Sequence, residues 1–172
     1  MKKVMLILTA GTVFLFSCNN DGEKKADAGN DVIKKNLAAV NGVNDAMMKN
    51  DYSKLGDYIA ADGVDHSGPN GDIKGLDSIK AAMQMMNQMA SDQKYEVLNE
   101  FADSTTTIQW LRFTGTSKMD MGPNMKAGSK YSMTSIEVCK MKDGKAVEHW
   151  EYMLASDVMK MIPPPPPPAP AK

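Results

Sequence analysis

Only two histidines occur in the 172 residues, and each has carboxylates close by. His66 lies in "VDHSGPNGDIKG" (64–75), just after Asp62 and Asp65. His149 lies in "VEHWEYM" (147–153), between Glu148 and Trp150. An imidazole changes charge near neutral pH, and an acidic neighbour can orient it or move its pKa. A carboxylate beside an indole loses hydration, which raises its pKa toward the range a general acid or base needs. Read as a strand, "KAVEHWEYM" puts Glu148, Trp150 and Tyr152 on one face and Val147, His149 and Glu151 on the other. The Glu148 face is expected to line a pocket, with Trp150 as wall, and His149 to be a surface imidazole. By residue type His66 and Glu148 are the candidate acid–base groups, with Asp62 or Asp65 available to orient His66. In "TTTIQWLRF", Trp110 shares a face with Ile108 and Arg112. Glu137 is out of phase with Ile136 and Val138, so it is either a pocket carboxylate or an outer-face residue. Asp65, Trp110, Glu137 and Trp150 are the candidate ligand contacts.

Other chemistries lack their residues. There is no activated nucleophile pattern, no phosphate-binding glycine loop and no zinc spacing, so neither a cofactor nor a metal site is expected. Methionine offers the competing signal. There are 16 in the chain, and "MDMGPNM" places Met119, Met121 and Met125 in one loop. Thioethers are soft ligands suited to Cu(I). A Met-rich copper-binding or assembly protein is thus the alternative class, although no Cys or His stands near that loop.

The elements that must hold these residues begin after a leader. "MKKVMLILTAGTVFLFSC" has two lysines, an apolar run and a terminal Ser17-Cys18, the pattern of an export signal. Its "LFSC" (Leu15 to Cys18) resembles a bacterial lipobox, which implies cleavage before Cys18 and acylation of that residue. Each buried methylene of such an anchor contributes about 0.8 kcal/mol. The expected location is the cell envelope, lipid-anchored to a bacterial membrane, the outer membrane being favoured. Removing residues 1–17 takes Lys2 and Lys3 and no acid, which leaves 18 basic against 21 acidic groups. A mildly acidic chain argues against nucleic acid as a partner. Cys139 then has no second thiol in the domain and is expected to be buried and inert.

The expected layout is a signal at 1–17, a lipidated Cys and polar tether at 18–30, one domain at 31–162 and a proline-rich tail at 163–172. Apolar residues at helical steps predict helices over 31–49, over "DYSKLGDYIAAD" with Asp51 as cap, and over "GLDSIKAAMQMMNQMA" with Leu76, Ile79, Met83 and Met86 inward. "GVDHSGP" predicts a short strand running into a loop. From Lys94 on, alternating Thr, Val, Ile and aromatic residues predict four strands, with turns at Asp103-Ser104 and Asp143-Gly144. Helices followed by antiparallel strands make an α+β domain.

Two stretches in this order carry a family resemblance: Asp62 through Gly75, with its "DH" pair and the "KG" that opens a helix, and "GKAVEHW" at 144–150. The sequence resembles the SnoaL-like polyketide cyclases and ester cyclases of the nuclear transport factor 2-like superfamily over about residues 31–160. The resemblance implies a cone in which a curved antiparallel sheet wraps the N-terminal helices around an apolar pocket. It also implies a small apolar or carbonyl ligand, proton-transfer chemistry and a place for His66 near the pocket mouth, at one pocket with Glu148. It leaves a homodimer open. One departure is visible: where the family often carries Asp a few positions after the Trp, this chain has Leu154, and Asp157 comes later.

Overall fold

The computed structural model describes residues 21–122 and 124–161. Cys18, the segment read as an export signal and the proline-rich tail lie outside the described residues. The elements in order are α1 (Asp21–Lys49), α2 (Leu55–Tyr58), β1 (Ile59–Asp65), β2 (Ile73–Lys74), α3 (Leu76–Met89), β3 (Ala90–Ala102), β4 (Thr106–Ser117), β5 (Lys130–Lys142), β6 (Lys145–Met153) and α4 (Ala155–Met161). The strands form one curved, open sheet in the order β2-β1-β6-β5-β4-β3.

β3 to β6 are the four strands predicted, joined as antiparallel neighbours. The last hairpin turns where expected. Asp143 and Gly144 take φ of 55° and 76°, the left-handed pair that a two-residue turn between twisted strands requires. The sheet is mixed, however, because β1 lies parallel to β6 and only β2 runs antiparallel to β1. A strand that precedes the hairpins and returns to their far edge through α3 can pair in either sense, and alternation does not reveal which.

Helix boundaries depart from expectation in three places. Residues 21–30, read as tether, belong to α1; Glu, Lys and Ala there favour helix and outweigh Gly22 and Gly29. The second helix is one turn long, and Ile59–Asp62 are strand, because pairing Ile59 to Ala146 outweighs the helical spacing. Asp51 caps no helix; its carboxylate accepts the Ser53 N–H at 3.0 Å in a turn.

The core has two parts. Ala39 and Val40 of α1 pack on Cys139, Met141 and Ala146. Ala46, Tyr52, Leu55, Ile59 and Ile79 form the second cluster, with Leu76 and Met83 against it. Gly42 lets α1 close on Tyr58, since a Cβ there would overlap the ring. Met86, expected inward, is exposed, as α3 needs only its Leu76–Ile79–Met83 stripe to cover this cluster. Because α1 packs on Cys139 and Met141, that face of the sheet is the inner one. Among the described residues no helix is long and apolar enough to cross a membrane.

Candidate functional site

The inner face is built in rows across the strands. Thr107, Cys139, His149 and Asp65 are successive partners on β4, β5, β6 and β1. Gln109, Glu137 and Glu151 form the next row, and Leu111, Ser135 and Met153 the one after. The wall is therefore apolar at one end and acidic in the middle. At its α1 side Gln109 donates to Asn41 at 2.8 Å and to Glu100 at 3.1 Å. Tyr95 donates to Asp45 at 3.0 Å, and burial, aided by that bond, holds its phenol up at about 12.

His149 is the centre of this face. Its Nδ1 lies 3.0 Å from Asp65 and its Nε2 2.6 Å from Glu137. Burial opposes a charged imidazole, but the bonds to the two carboxylates outweigh it and push the pKa to about 11. Burial would likewise raise Asp65, yet His149 and Ser67, which bonds it through both N–H and hydroxyl, bring it down to about 2. Glu137 accepts a further bond from the Ser135 hydroxyl. Glu151 lacks such a cationic bond. Burial and the facing Glu137 push it up to about 7, as expected when two carboxylates share a site.

These side chains are enclosed but reachable, with 28% exposure at His149, 20% at Asp65 and 13% at Glu137. They form an open floor and not a sealed cavity. Two depressions lie elsewhere. One of about 540 Å³ is lined by Asp62, Lys142, Asp143 and Lys145, and one of about 220 Å³ by Met125, Tyr131, Met133 and Lys160.

The candidate pair His66 and Glu148 does meet, at 3.1 Å, but on the outer face. His66 stacks on Trp150 with ring centroids 4.6 Å apart and planes 17° from parallel. Its other nitrogen faces Asp72 at 2.9 Å, and the two acids raise its pKa, Asp72 contributing most. Lys140 bonds Glu148 at 2.8 Å and lies 5.3 Å from the Trp150 ring centre. Lys140 first, and then His66, hold Glu148 below the ordinary glutamate value. Glu148 is thus the reverse of the desolvated carboxylate that Trp150 was expected to create. Trp110 also lies outside, half exposed. Of the residues singled out in the sequence, Asp65 and Glu137 face inward, while His66, Trp110, Glu148 and Trp150 face out. His149, expected at the surface, is instead the inner imidazole.

The reason is one residue. Met141 pairs with Ala146, but Lys140 pairs with Glu148 and Cys139 with His149. This bulge at Val147 moves every later residue of β6 to the opposite face. Glu151 was missed for the same reason. A usable signal was Cys139: a thiol expected to be buried shares its face with Glu137, which turns that carboxylate inward.

Neither flanking acid converges with His149 on a common point, because both ring nitrogens are already occupied. Among the described residues no group of three or more His, Cys, Asp or Glu could hold a metal ion. In the methionine loop Met125 is buried and Met119 exposed, so these thioethers do not form one presented set.

Solved structures share this architecture. A SnoaL-like protein of Jannaschia sp. CCS1 superposes with a TM-score of 0.67 at 14% identity, covering 78% of this chain and 96% of its own. A SnoaL-like polyketide cyclase of Agrobacterium tumefaciens gives 0.63 at 14%, covering 73% and 95%. The LEH-like epoxide hydrolase of M. tuberculosis gives 0.59 at 14%, covering 75% and 86%. Among curated proteins, no sequence is a significant match. At such identities the superpositions establish a nuclear transport factor 2-like fold. The family model for SnoaL-like polyketide cyclase, however, matches residues 38–161, from the middle of α1 to the end of α4. That span holds both core clusters and the whole Asp65–His149–Glu137 cluster, and the chain belongs to the SnoaL-like polyketide cyclase family.

Proposed function

We propose that the inner face binds a small carbonyl compound and moves a proton at its α-carbon, with Glu151 as the acid–base group. The observation that carries this reading is the division of labour between two adjacent rows of the inner face. His149 is locked as a cation between Asp65 and Glu137, with both N–H groups committed. It organises charge and does not itself transfer a proton near neutral pH. Glu151, two residues further along the same face, is the carboxyl whose pKa lies near neutrality, where a general base combines availability with driving force. As carboxylate it takes the α-proton; as the resulting acid it returns a proton to carbon or oxygen. The three acids exceed the single cation, so the site disfavours ligands bearing a carboxylate and suits neutral or cationic ones. The cyclase and hydrolase named among the structural neighbours support small-molecule chemistry on this scaffold.

The test is deuterium exchange at the α-carbon of a panel of neutral ketones and β-diketones, followed by NMR. The wild-type rate should rise with pH through about 7 and collapse in Glu151→Gln. Equal exchange by wild type and Glu151→Gln would overturn the assignment.

The same proposal places the domain at a membrane through acylated Cys18, on the strength of "LFSC". Cys18→Ser should release a soluble protein or leave an unprocessed precursor, and a processed, membrane-bound mutant would refute the anchor. Copper binding by the Met119–Met121–Met125 loop has less support, because Met125 belongs to the interior.

A further inference from the structure

Six methionines from three segments are brought together at the C-terminal end of α3. Met85, Met86 and Met89 are neighbours on its last turns, and Met47 and Met48 stand in the last turn of α1. Asn87 ties the two helices, donating to the Met47 carbonyl and to the Tyr52 hydroxyl, each at 2.6 Å. The start of the β4–β5 loop is tied to the same end, because the Lys118 N–H donates to the Met89 carbonyl at 2.8 Å. Met119 follows directly, its carbonyl held by the Ser117 hydroxyl at 2.6 Å. Met85, Met86 and Met119 are each about half exposed. None of the three belongs to either core cluster. The bonds that join the segments run through backbone, amide and hydroxyl groups, so no thioether is needed to keep the patch in place.

We propose that Met85, Met86 and Met119 form a sacrificial oxidation site, converted to methionine sulfoxide by two-electron oxidants of the hypochlorous acid or peroxide class before any interior sulfur reacts. In each event the thioether sulfur loses two electrons and gains one oxygen atom. Hypochlorous acid is reduced to chloride with release of a proton, and hydrogen peroxide to water. Three observations support the assignment. The first is the residue type. Leu, Lys or Gln would serve an exposed helix position as well as Met does, since their helix propensities are close. What Met85 and Met86 add at the surface of α3 is sulfur. The second is access, which governs susceptibility. Met125, Met141 and Cys139 are buried, and burial holds the Cys139 thiol above its ordinary value, so little thiolate is present to compete. The third is consequence. A sulfoxide is polar and accepts hydrogen bonds. At the three exposed positions its oxygen meets water and costs the fold little. At Met141, packed with Ala39, Val40 and Ala146, it would enter an apolar cluster and destabilise it. The exposed thioethers therefore take up oxidant where the product is harmless.

The test adds hypochlorous acid to the full chain in steps, maps sulfoxide by peptide mass spectrometry and follows the thermal unfolding midpoint. Sulfoxide should appear at Met85, Met86 and Met119 at least about tenfold ahead of Met125 and Met141, with Cys139 unmodified and the midpoint unchanged. A variant carrying Met85→Leu, Met86→Leu and Met119→Leu keeps side-chain volume and helix propensity, and should unfold like the parent before treatment. Its midpoint should begin to fall about three equivalents of oxidant earlier, one for each thioether removed. Oxidation of Met125, Met141 or Cys139 as fast as the exposed three overturns the proposal, and so does a variant as tolerant of oxidant as the parent. Resistance of the three thioethers until a Cu(I) chelator is added also overturns it, and assigns the patch to a soft metal.

Discussion

The two histidines sit back to back at one point of the sheet, and each lies between two carboxylates. His66 has Asp72 and Glu148; His149 has Asp65 and Glu137. The backbone joins them, since His66 N–H donates to the His149 carbonyl at 2.8 Å. They differ in what surrounds the acids. On the outer face Lys140 also holds Glu148, water screens the cluster, and the imidazole is a lid over Trp150. On the inner face no second cation is present among the partners of the cluster, and Glu151 stands beside Glu137 without a bond to His149, whose more distant charge is outweighed by burial and Glu137. The same three-group motif is thus a fastening on one side and a source of perturbed acidity on the other. Partner count does not decide function here; the dielectric and the unpaired neighbour do.

Removing the inner imidazole should have the largest effect. His149→Ala leaves Asp65, Glu137 and Glu151 enclosed with no cation, and breaking such an ion set from one side costs about 3 kcal/mol. Chemical denaturation should show that loss, and proton exchange should vanish with it. If the variant is as stable as the parent, the inner cluster is not organised by charge.

The second effect is a pH dependence of opposite sense to ordinary acid unfolding. Glu151 rises from 4.5 to about 7 and His149 from 6.5 to about 11 on folding. In both cases the folded chain keeps a proton that the unfolded chain has released. Their stabilisation is complete below the unfolded values and is lost as pH rises through about 7 and then about 11. Asp65 works the other way: its contribution is present above 3.8 and lost only as pH falls through about 2. Stability should therefore decline from about pH 4.5 to about pH 11, the part below about 7 shared by both groups and the part above it due to His149. Glu151→Gln should flatten the lower part of that slope and leave the upper part, which belongs to His149. A slope unchanged in Glu151→Gln would separate the rate assignment from the titration.

Smaller again is the outer stack. Trp150→Ala removes a half-buried indole beneath His66 and should cost about 2 kcal/mol, less than a fully enclosed aromatic, with exchange activity retained. The smallest effect is expected from His66→Ala. It should lower thermal stability slightly, and only below the pH at which His66 loses its proton, while the pH–rate profile stays that of the parent. A shifted profile would show that the two histidines act as one unit.

Much of this architecture was legible. The four long strands, the Asp143-Gly144 turn and the α3 stripe follow from alternation, turn chemistry and helical spacing. The site was only half legible, for a definite reason. Alternation divides a strand into two faces without saying which is inside, and the usual rule sends aromatics in and charges out. Here β4, β5 and β6 put Trp110, Ile136 and Tyr152 outside and Glu137, His149 and Glu151 inside. The bulge at Val147 then reversed the one count that the hairpin turn would have fixed. Asp65 and Glu137 were found because their types were chemically suggestive; Glu151 was overlooked because it looked like an ordinary charge on a solvated face. The parallel entry of β1 beside β6, which brings Asp65 to His149, leaves no trace in the local pattern.

That parallel entry also sets an order of assembly. Asp65 and His149 are 84 positions apart, whereas β3 to β6 are chain neighbours that can zip together through tight turns. Pairings between distant segments carry the larger loop-closure cost and come late. During synthesis β1 leaves the ribosome long before its partner exists, and it must wait, with Asp65 uncompensated, for β6 to appear. A chain stalled before residue 149 lacks the Asp65–His149 pair altogether and does not hold a weakened form of it. The inner charge cluster is thus assembled in one step, when β6 pairs with β1.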